Sequence, residues 1–240
     1  MRRLAMLTHN PLGNFSFLAA PGRPYSGGVV TDAGFDLVHG SFATPIPLEA
    51  GLAAAVRHLA TTGRPAQCLA GLELRIPEPL TADDFGKFNA RYVASLRGLG
   101  LELGGLIPIG RTNVAAVVGA VTEPCLFAFS YATSSSQSKR GFLVSGVAEA
   151  EPGDPSAMLG SIMDALSTRL KELGVAWDDV TSIQLYGTET VQALIVDEVL
   201  SRTGKAGVRG IRWFPSNPPV VGLRLEIDVQ SAGTELVITP

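Results

Sequence analysis

The segment GFLVSGVAEAEPGDPSAMLGSIMDALSTRLKELG (141–174) contains a strand followed by a long amphipathic helix. We predict a β-strand over 141–149 and a helix that begins after Asp154, a residue type that caps the first helical turn. Pro155 suits the first helical position, and Gly174 suits the position that ends a helix. Apolar residues recur at helical spacing, at Met158, Leu159, Ile162, Met163, Leu166, Leu170 and Leu173. The helix is therefore predicted to cover one face of a sheet.

The elements on either side of this segment follow the same order twice. After the helix we predict a strand over 179–188, a helix over 190–202, and strands over 207–214 and 219–229. Before the segment we predict strands over 35–43, 67–76, 111–121 and 125–132, with helices over 48–60 and 81–100. Pro45 and Pro47 are expected to end the first of these strands. The order strand, helix, strand, helix, strand, strand recurs with a period of about 100–110 residues, which indicates an internal duplication.

The limits of the two units follow from local composition. Residues 1–28 contain many turn-forming residues and no periodicity, so we predict an irregular lead-in. The polar segment SSSQSKR (134–140) is typical of a linker or a loose hairpin. We therefore divide the chain into a first unit at 1–133 and a second unit at 134–240. The fold class is α+β, in which each unit is a mixed sheet covered on one face by two helices.

Composition restricts the class of protein. The chain has 240 residues, of which 46% are hydrophobic and 17% charged, and its formal net charge is -3. Low charge argues against disorder, and scattered basic residues argue against a nucleic-acid-binding surface. No apolar run approaches the roughly 18 residues of a membrane-spanning helix, and MRRLAML lacks the apolar core of a secretion signal. We therefore expect a cytoplasmic protein that contacts neither nucleic acid nor membrane.

The reactive residue types show no familiar pattern for a metal, a dinucleotide or a serine nucleophile. The sequence contains no HxH, HExxH or CxxC spacing and no GxGxxG loop, and His9, His39 and His58 share no spacing typical of ligands. Its serines occur without a GxSxG elbow or a nearby histidine and acid, so serine hydrolysis is set aside. We expect no metal site and no cofactor.

Five motifs, in order along the chain, resemble signatures of the RidA/YjgF superfamily. RPYSGGVV (23–30), DFGKFNARY (84–92) and GRTNVA (110–115) are similar to three of them, and FLVSGVAE (142–149) and LRLEIDV (223–229) to two more. Together they cover nearly the whole chain. The resemblance implies the YjgF fold, which small chorismate mutases share, in each of two tandem units. It also implies pockets between neighbouring units in a trimer-like arrangement, and a homotrimer is the expected assembly.

The stretch GIRWFPSNPPVVGLRLEIDV (210–229) resembles the tandem-unit branch of this superfamily, which includes 2-amino-5-chloromuconate deaminases and, more distantly, chorismatases. That resemblance implies a cofactor-free deaminase that hydrolyses the enamine or imine of a 2-aminomuconate-like unsaturated amino acid and releases ammonia. The substrate is then a small carboxylate. Such a reaction needs a cation for the carboxylate, a polar group that deprotonates water, and a donor near the leaving amine.

Two residues are candidates for catalysis. Arg111 matches the family's carboxylate-binding arginine, and the alternative is a surface or interface salt bridge. Glu226 lies where relatives use a glutamate to activate water, on one strand face with Arg224 and Asp228. Alternation alone favours a solvated strand face for this residue. If Glu226 is partly buried, its pKa rises, which suits a base that works near neutral pH.

Four further residues are candidates for substrate binding. Tyr25 matches the family's tyrosine at the pocket edge, or else it anchors the lead-in. Asn89 matches a frequent family asparagine, although a hydrogen bond from its helix to a loop is the simpler interpretation. Arg212 could supply a second cation for a diacid, or could pack on the ring of Trp213. Asn217 stands where relatives have an arginine before a proline pair, which would suit a less anionic substrate or a changed function.

Two other functions stay open from the sequence. Asn217 and the connection at 134–140 motivate a lyase or cyclase that acts on a chorismate-like or biosynthetic intermediate. Phe129 takes, in the first unit, the strand position of Glu226 in the second, so the two units do not offer equal sites. That difference motivates a non-catalytic protein that binds a small molecule, because one scaffold can carry several functions.

Overall fold

The computed structural model describes residues 7–137, 139–149, 154–187 and 193–239. Their strands, in chain order, are β1 (Leu7–Asn10), β2 (Phe15–Leu18), β3 (Gly28–Thr31), β4 (Phe35–Pro47), β5 (Leu69–Ile76), β6 (Gly110–Ala116), β7 (Cys125–Ser134), β8 (Phe142–Glu149), β9 (Ser182–Gly187), β10 (Arg212–Asn217), β11 (Leu225–Ser231) and β12 (Thr234–Ile238). Their α-helices are α1 (Leu48–Thr61), α2 (Ala82–Gly98) and α3 (Pro155–Leu173). None of these helices is both long enough and apolar enough to cross a lipid bilayer.

The strands form one mixed sheet with two equivalent halves. Their order is β1-β2-β3-β8-β11-β9-β10-β6-β5-β7-β4-β12. The first half contains β4 to β7 and the second contains β8 to β11. The halves meet where β10 pairs antiparallel with β6, at Ser216–Ala116 and Asn217–Ala115. The parallel pairs β5–β6 and β9–β10 occupy matching positions, which confirms the predicted α+β fold of two tandem units.

The ends of the chain exchange strands between the halves. β1, β2 and β3 extend the second half, with Val29 of β3 opposite Leu143 of β8. β12 pairs in parallel with β4 of the first half. The prediction of an irregular lead-in is therefore wrong over these three N-terminal strands. Each has only four residues between turns, too few to show periodicity, although Phe15 and Phe17 are fully buried. The unit boundary at 133/134 stays a prediction.

The three regular helices agree with the sequence in position and in how they end. Thr81 Oγ1 accepts a hydrogen bond of 3.2 Å from the Asp84 N–H at the start of α2. Asp154 Oδ1 accepts one from the Ser156 N–H at the start of α3, and Gly174 ends α3 with a φ of 71°. α1 and α2 pack on the first half of the sheet, and α3 packs on the second, each through its apolar face.

The second helix predicted for the second unit is not a regular α-helix. Of the predicted range 190–202, residues 190–192 lie outside the described residues. The remainder is a π-helical turn at Ile195–Val199, followed by 3-10 segments that end at Arg209. Three residues of the π-helical turn, Ile195, Val196 and Val199, are β-branched, which lowers their helix propensity. The strand predicted from residue 207 accordingly begins later, as β10.

The first long strand continues beyond its predicted end. β4 passes a β-bulge between Ser41 and Ile46 and pairs with β7 as far as Pro47. Its other neighbour, β12, ends opposite Phe42. The last residues of β4 thus have one open side, where a proline interrupts no ladder. The expectation that Pro45 and Pro47 end the strand is wrong for this reason.

The faces of the two halves that carry no helix pack against each other. Leu143 of β8 lies directly over Gly71 of β5 and Gly110 of β6, where any Cβ atom would collide with the leucine side chain. An apolar cluster fills this interface; its members are Phe15, Phe17, Ala19, Val29, Leu37, Ala70, Ala132 and Leu143. Glycine at the two contact positions therefore permits the close approach that buries the polar side chains described next.

Candidate active site

A cavity of about 1140 Å³ opens between the two halves of the sheet. Its walls come from β6, β8, β11, α3 and the loops before β3 and β11. Both units of a single chain contribute side chains to it. The cavity thus lies at an interface between units, where the sequence resemblance implies a pocket.

Arg111 extends from β6 into this cavity and is 5% exposed. Its Nη1 donates a hydrogen bond of 2.8 Å to Asn89 Oδ1 of α2. The guanidinium lies over the rings of Tyr25 and Tyr92, 4.7 and 4.8 Å from the ring centroids. Burial lowers the pKa of Arg111, and no carboxylate of the described residues forms an ion pair with it. A guanidinium held by a neutral amide and aromatic rings is available to bind an anion.

Glu226 of β11 reaches the same cavity and is 4% exposed. Burial, and secondly the charge of Asp228, raise the pKa of Glu226 to about 8, while Arg111 and a hydrogen bond from the Asn113 backbone N–H oppose this shift. Gly146 of β8 faces the carboxylate, and a Cβ atom there would collide with it. Glu226 is therefore a buried acid that exchanges its proton near neutral pH.

Asp228, two residues later on the same strand face, anchors a polar network between the halves. Its carboxylate accepts hydrogen bonds from Thr112 Oγ1 at 2.6 Å, Gln184 Nε2 at 3.1 Å and the Tyr186 hydroxyl at 3.1 Å. Gln184 Nε2 also donates to Glu73 Oε1 at 2.9 Å. Burial and the nearby charge of Glu73 raise the pKa of Asp228. The network thus holds the carboxylates of Asp228 and Glu73 near Glu226, where all three side chains are buried.

Arg169 of α3 is a second arginine of this cavity, and it lies outside the motifs that single out the other site residues. Its Nη1 donates a hydrogen bond of 2.8 Å to the backbone carbonyl of Ser145. Burial lowers the pKa of Arg169, and the positive charge of Arg23 lowers it further. Arg169 follows Leu166 by three residues and precedes Leu173 by four, so it lies at the border of the apolar face of α3. That spacing is the signal by which it could have been found.

Ser145 forms hydrogen bonds with both Arg111 and Arg169. Its hydroxyl accepts a hydrogen bond of 3.0 Å from the Arg111 backbone N–H and donates one of 2.6 Å to the carbonyl of Ser26. Its own carbonyl is the acceptor for Arg169. Ser145 is 1% exposed, so these bonds form away from water and fix the position of β6 against β8.

Asn113 contributes an unpaired amide to the cavity. It is 2% exposed, and neither its Oδ1 nor its Nδ2 has a hydrogen-bond partner among the described residues. Buried side-chain amides are normally paired. The Asn113 carboxamide is therefore free to hydrogen-bond a ligand next to Glu226.

The six residues selected from the sequence separate into two groups. Tyr25, Arg111 and Glu226 line the cavity, and Asn89 contacts Arg111 directly. Arg212 and Asn217 do not line it. Arg212 forms an exposed ion pair with Glu235, and Asn217 pairs with Ala115 where the two halves of the sheet join. The structure therefore brings together the catalytic candidates and separates them from the proposed second cation.

A buried serine, histidine and acid also lie together between the halves, contrary to the expectation from sequence. His39 Nδ1 is 3.1 Å from Ser130 Oγ, and His39 Nε2 is 3.6 Å from Glu73 Oε1. The adjacent space measures about 20 Å³, which is room for a single water. No substrate reaches this serine, so the cluster is a structural network. Within the described ranges, no group of three or more His, Cys, Asp or Glu side chains is placed to hold a metal ion.

Comparison with known proteins confirms the resemblance. The family described as 2-aminomuconate deaminase CnbZ matches residues 7–160 and 157–236. A 2-amino-5-chloromuconate deaminase from Comamonas testosteroni is 34% identical over 233 residues, which cover 89% of this chain and 92% of that protein. A crystal structure of a chorismatase matches 95% of this chain and 86% of its own, with 14% identity and a TM-score of 0.51, which shows a shared fold. A YjgF/YER057c/UK114 family member from Mycobacterium tuberculosis is 19% identical over 38% of this chain and 78% of its own, with a TM-score of 0.32.

Proposed function

The chain belongs to the 2-aminomuconate deaminase CnbZ family, and we propose that it is an enzyme that deaminates a 2-aminomuconate-like unsaturated amino acid by hydrolysis. The observation that carries this proposal is the placement of Arg111, Tyr25 and Glu226 in one cavity. There an arginine without an ion-pair partner in the described part of the chain faces a buried acid whose pKa is about 8. The site, rather than the fold, supports the function, because this scaffold carries several chemistries.

In the proposed complex, Arg111 binds a carboxylate of the substrate. Asn89 holds the guanidinium through one N–H, which leaves four N–H groups for the ligand. The cavity is largely closed to solvent around Arg111, so a charge-assisted pair there is stronger than at the surface. Tyr25, whose ring lies against the guanidinium, offers its O–H to the same carboxylate or to the departing nitrogen.

The reaction we propose is hydrolysis of the imine tautomer. Glu226 accepts a proton from water, and the water oxygen forms a bond to the imine carbon. The electron pair of the C=N bond moves to the nitrogen, which takes up this proton from Glu226 and becomes an amine. Glu226 then takes the proton of the new hydroxyl group and passes it to the amine, and the carbon–nitrogen bond breaks, so that ammonia leaves with the bonding electrons as the C=O bond forms. The products are a ketone and ammonia, and Glu226 returns to its initial state. The imine carbon is already electrophilic, so these steps require no cofactor.

Asn113 lies next to Glu226 and can assist the attack of water on the imine carbon. Its backbone N–H donates to Glu226, and its side-chain amide is free beside that carboxylate. We propose that the amide orients the attacking water or the amino group of the substrate. A buried polar group without a partner is costly, so ligand binding at this point would recover a lost hydrogen bond.

The test is ammonia release from freshly generated 2-aminomuconate, followed together with the loss of its ultraviolet absorbance. We expect wild type to release ammonia and Glu226→Gln to be at least about 100-fold slower. Arg111→Met should lower kcat/KM by about tenfold or more, because it removes the carboxylate contact. Arg97→Met is the control, since Arg97 lies on the surface in a pair with Glu102. Equal loss in all three variants, or no ammonia from folded wild type, would overturn the proposal.

The same preparations distinguish the alternative functions. Pyruvate, or a cyclised product without ammonia, from a chorismate-like substrate would support a lyase or cyclase. A folded protein that retains a small carboxylate unchanged and turns nothing over would support a non-catalytic binding protein. Either result would replace the deaminase assignment.

A further inference from the structure

Two arginines enter the cavity from opposite units. Arg111 comes from β6 of the first unit, and Arg169 comes from α3 of the second. Tyr25 lies between them: its ring is 4.7 Å from the Arg111 guanidinium, and it also interacts electrostatically with Arg169. Glu226 lines the same cavity, and its charge acts on both cations. The acid therefore shares the cavity with two positive groups rather than one.

Arg169 has N–H donors that are free to bind an anion. Its one hydrogen bond among the described residues goes to the neutral carbonyl of Ser145, and it forms no ion pair in that part of the chain. A guanidinium has five N–H donors, so most of those of Arg169 remain for a ligand. Arg23 lines the same end of the cavity, and its positive charge acts on Arg169.

Among the described residues, no acidic side chain of the cavity forms an ion pair with Arg169. Asp164 is exposed and pairs with Arg202, away from the interior. Glu172 also lines the cavity and its negative charge acts on Arg169, but the two side chains form no ion pair. The charges of Glu172 and Glu226 therefore compensate Arg169 only in part, and its unused N–H donors remain for a ligand.

We propose that Arg169, assisted by Arg23, binds the second carboxylate of a dicarboxylic substrate while Arg111 binds the first, so that the site selects diacids over monoacids. This inference rests on the proposed function. It adds to that function the residue that binds the second carboxylate of the substrate. Arg169 then takes the role of second cation that was expected of Arg212. The reacting carbon then lies between the two anchored ends, beside Glu226.

The probes for this inference are two unreactive ligands of equal chain length. trans,trans-Muconate carries a carboxylate at each end, and sorbate carries only one. Binding of each is measured by titration calorimetry with the full chain. We expect wild type to bind muconate about tenfold or more tighter than sorbate, as an added charge-assisted pair would produce. In Arg169→Met, muconate should weaken to the level of sorbate while sorbate binding stays unchanged.

Lys171→Met is the matched control, because it removes a positive charge from the exposed side of the same helix, two residues away. If Arg169→Met fails to fold, Arg23→Met at an exposed position and Arg169→Lys should each reduce the preference for muconate in part. Equal weakening of both ligands in Arg169→Met would indicate a structural role and overturn the inference. Absence of a preference for muconate in wild type would also overturn it.

These measurements separate this inference from the proposed function. If wild type releases no ammonia but its preference for muconate depends on Arg169, the deaminase proposal fails and the diacid site stands. If ammonia is released while the preference is unaffected by Arg169→Met, the deaminase proposal stands and the diacid site fails.

Discussion

At the scale of the residue, burial of Glu226 makes stability depend on pH. The folded chain holds the Glu226 proton up to a pKa of about 8, whereas the ordinary value for this group is 4.5. Between these pH values the unfolded chain binds fewer protons than the folded one, so the free energy of unfolding falls as pH rises. The slope approaches about 1.4 kcal/mol per pH unit. We expect Glu226→Gln to flatten this part of the stability curve.

Urea unfolding at intervals from pH 5 to pH 9 checks this expectation. Glu78→Gln is a suitable control, because Glu78 is an exposed carboxylate. It should reproduce the wild-type pH dependence. A Glu226→Gln curve parallel to wild type would show that this carboxyl does not carry the proton in question.

The same proton sets the expected pH dependence of catalysis. Because the ionised form of Glu226 accepts the proton from water in our proposal, kcat/KM should rise with pH and level off above about 8. A steady-state pH profile between pH 6 and pH 10 measures this. A profile that instead falls through pH 8 would identify protonated Glu226 as a general acid and would contradict its assignment as the base.

Some residues of the site could be predicted from the sequence and others could not. Arg111, Tyr25 and Glu226 lie in motifs that resemble a known superfamily, and all three line one cavity. Asn113 lies in one of the same motifs, but its role could not be predicted from sequence. Its lack of a hydrogen-bond partner is a property of three-dimensional packing. Arg169 belongs to no recognised motif, and its relevance depends on the distance between α3 and β6 across the two units.

At the scale of the element, two helical glycines should respond oppositely to the same substitution. Gly86 is an exposed position of α2, and a Cβ atom there meets nothing within 4 Å. Gly51 is buried in α1, and a Cβ atom there would lie 2.7 Å from Leu126 Cβ. We expect Gly86→Ala to stabilise the protein by about 0.5–1 kcal/mol and Gly51→Ala to destabilise it by about 1–3 kcal/mol. Chemical denaturation of both variants measures this, and shifts of the same sign would contradict the packing described.

The elements themselves could be predicted where the local signal is long. α3 has caps at both ends and a stripe of seven apolar residues, and the structure confirms its bounds almost to the residue. β1 and β2 have four residues each, and β12 was not predicted at all, because its pairing partner β4 lies almost 200 residues earlier. Short strands depend on distant partners, which no local pattern reports.

At the scale of the whole molecule, both units of one chain contribute to the site. Arg111 belongs to the first unit, Glu226 and Arg169 to the second, and Tyr25 to the loop before β3, which joins the sheet of the second. The exchange of terminal strands ties these parts together, because each half of the sheet is completed by a segment from the far end of the sequence. The predicted homotrimer stays a prediction, which light scattering would check.

The network between the halves gives the last prediction. Asp228 accepts hydrogen bonds from Thr112 of the first half and from Gln184 and Tyr186 of the second, and its charge is the second cause of the raised pKa of Glu226. Asp228→Asn removes that charge but keeps a carbonyl acceptor for the two hydroxyls. The pKa of Glu226 should therefore fall, and the rising limb of the kcat/KM profile should move to lower pH by about one unit.

A pH profile of Asp228→Asn beside wild type and Glu78→Gln tests this coupling, with circular dichroism to establish folding. A purely structural Asp228 would lower activity at every pH without moving the limb. A displaced limb would show instead that the charge of Asp228 sets the pH range in which Glu226 works. That charge is buried because the two halves of the sheet pack closely, with glycines at their closest contacts. The second unit then supplies both the acid and the charge that tunes it, and the first unit supplies Thr112, which donates a hydrogen bond to that charge.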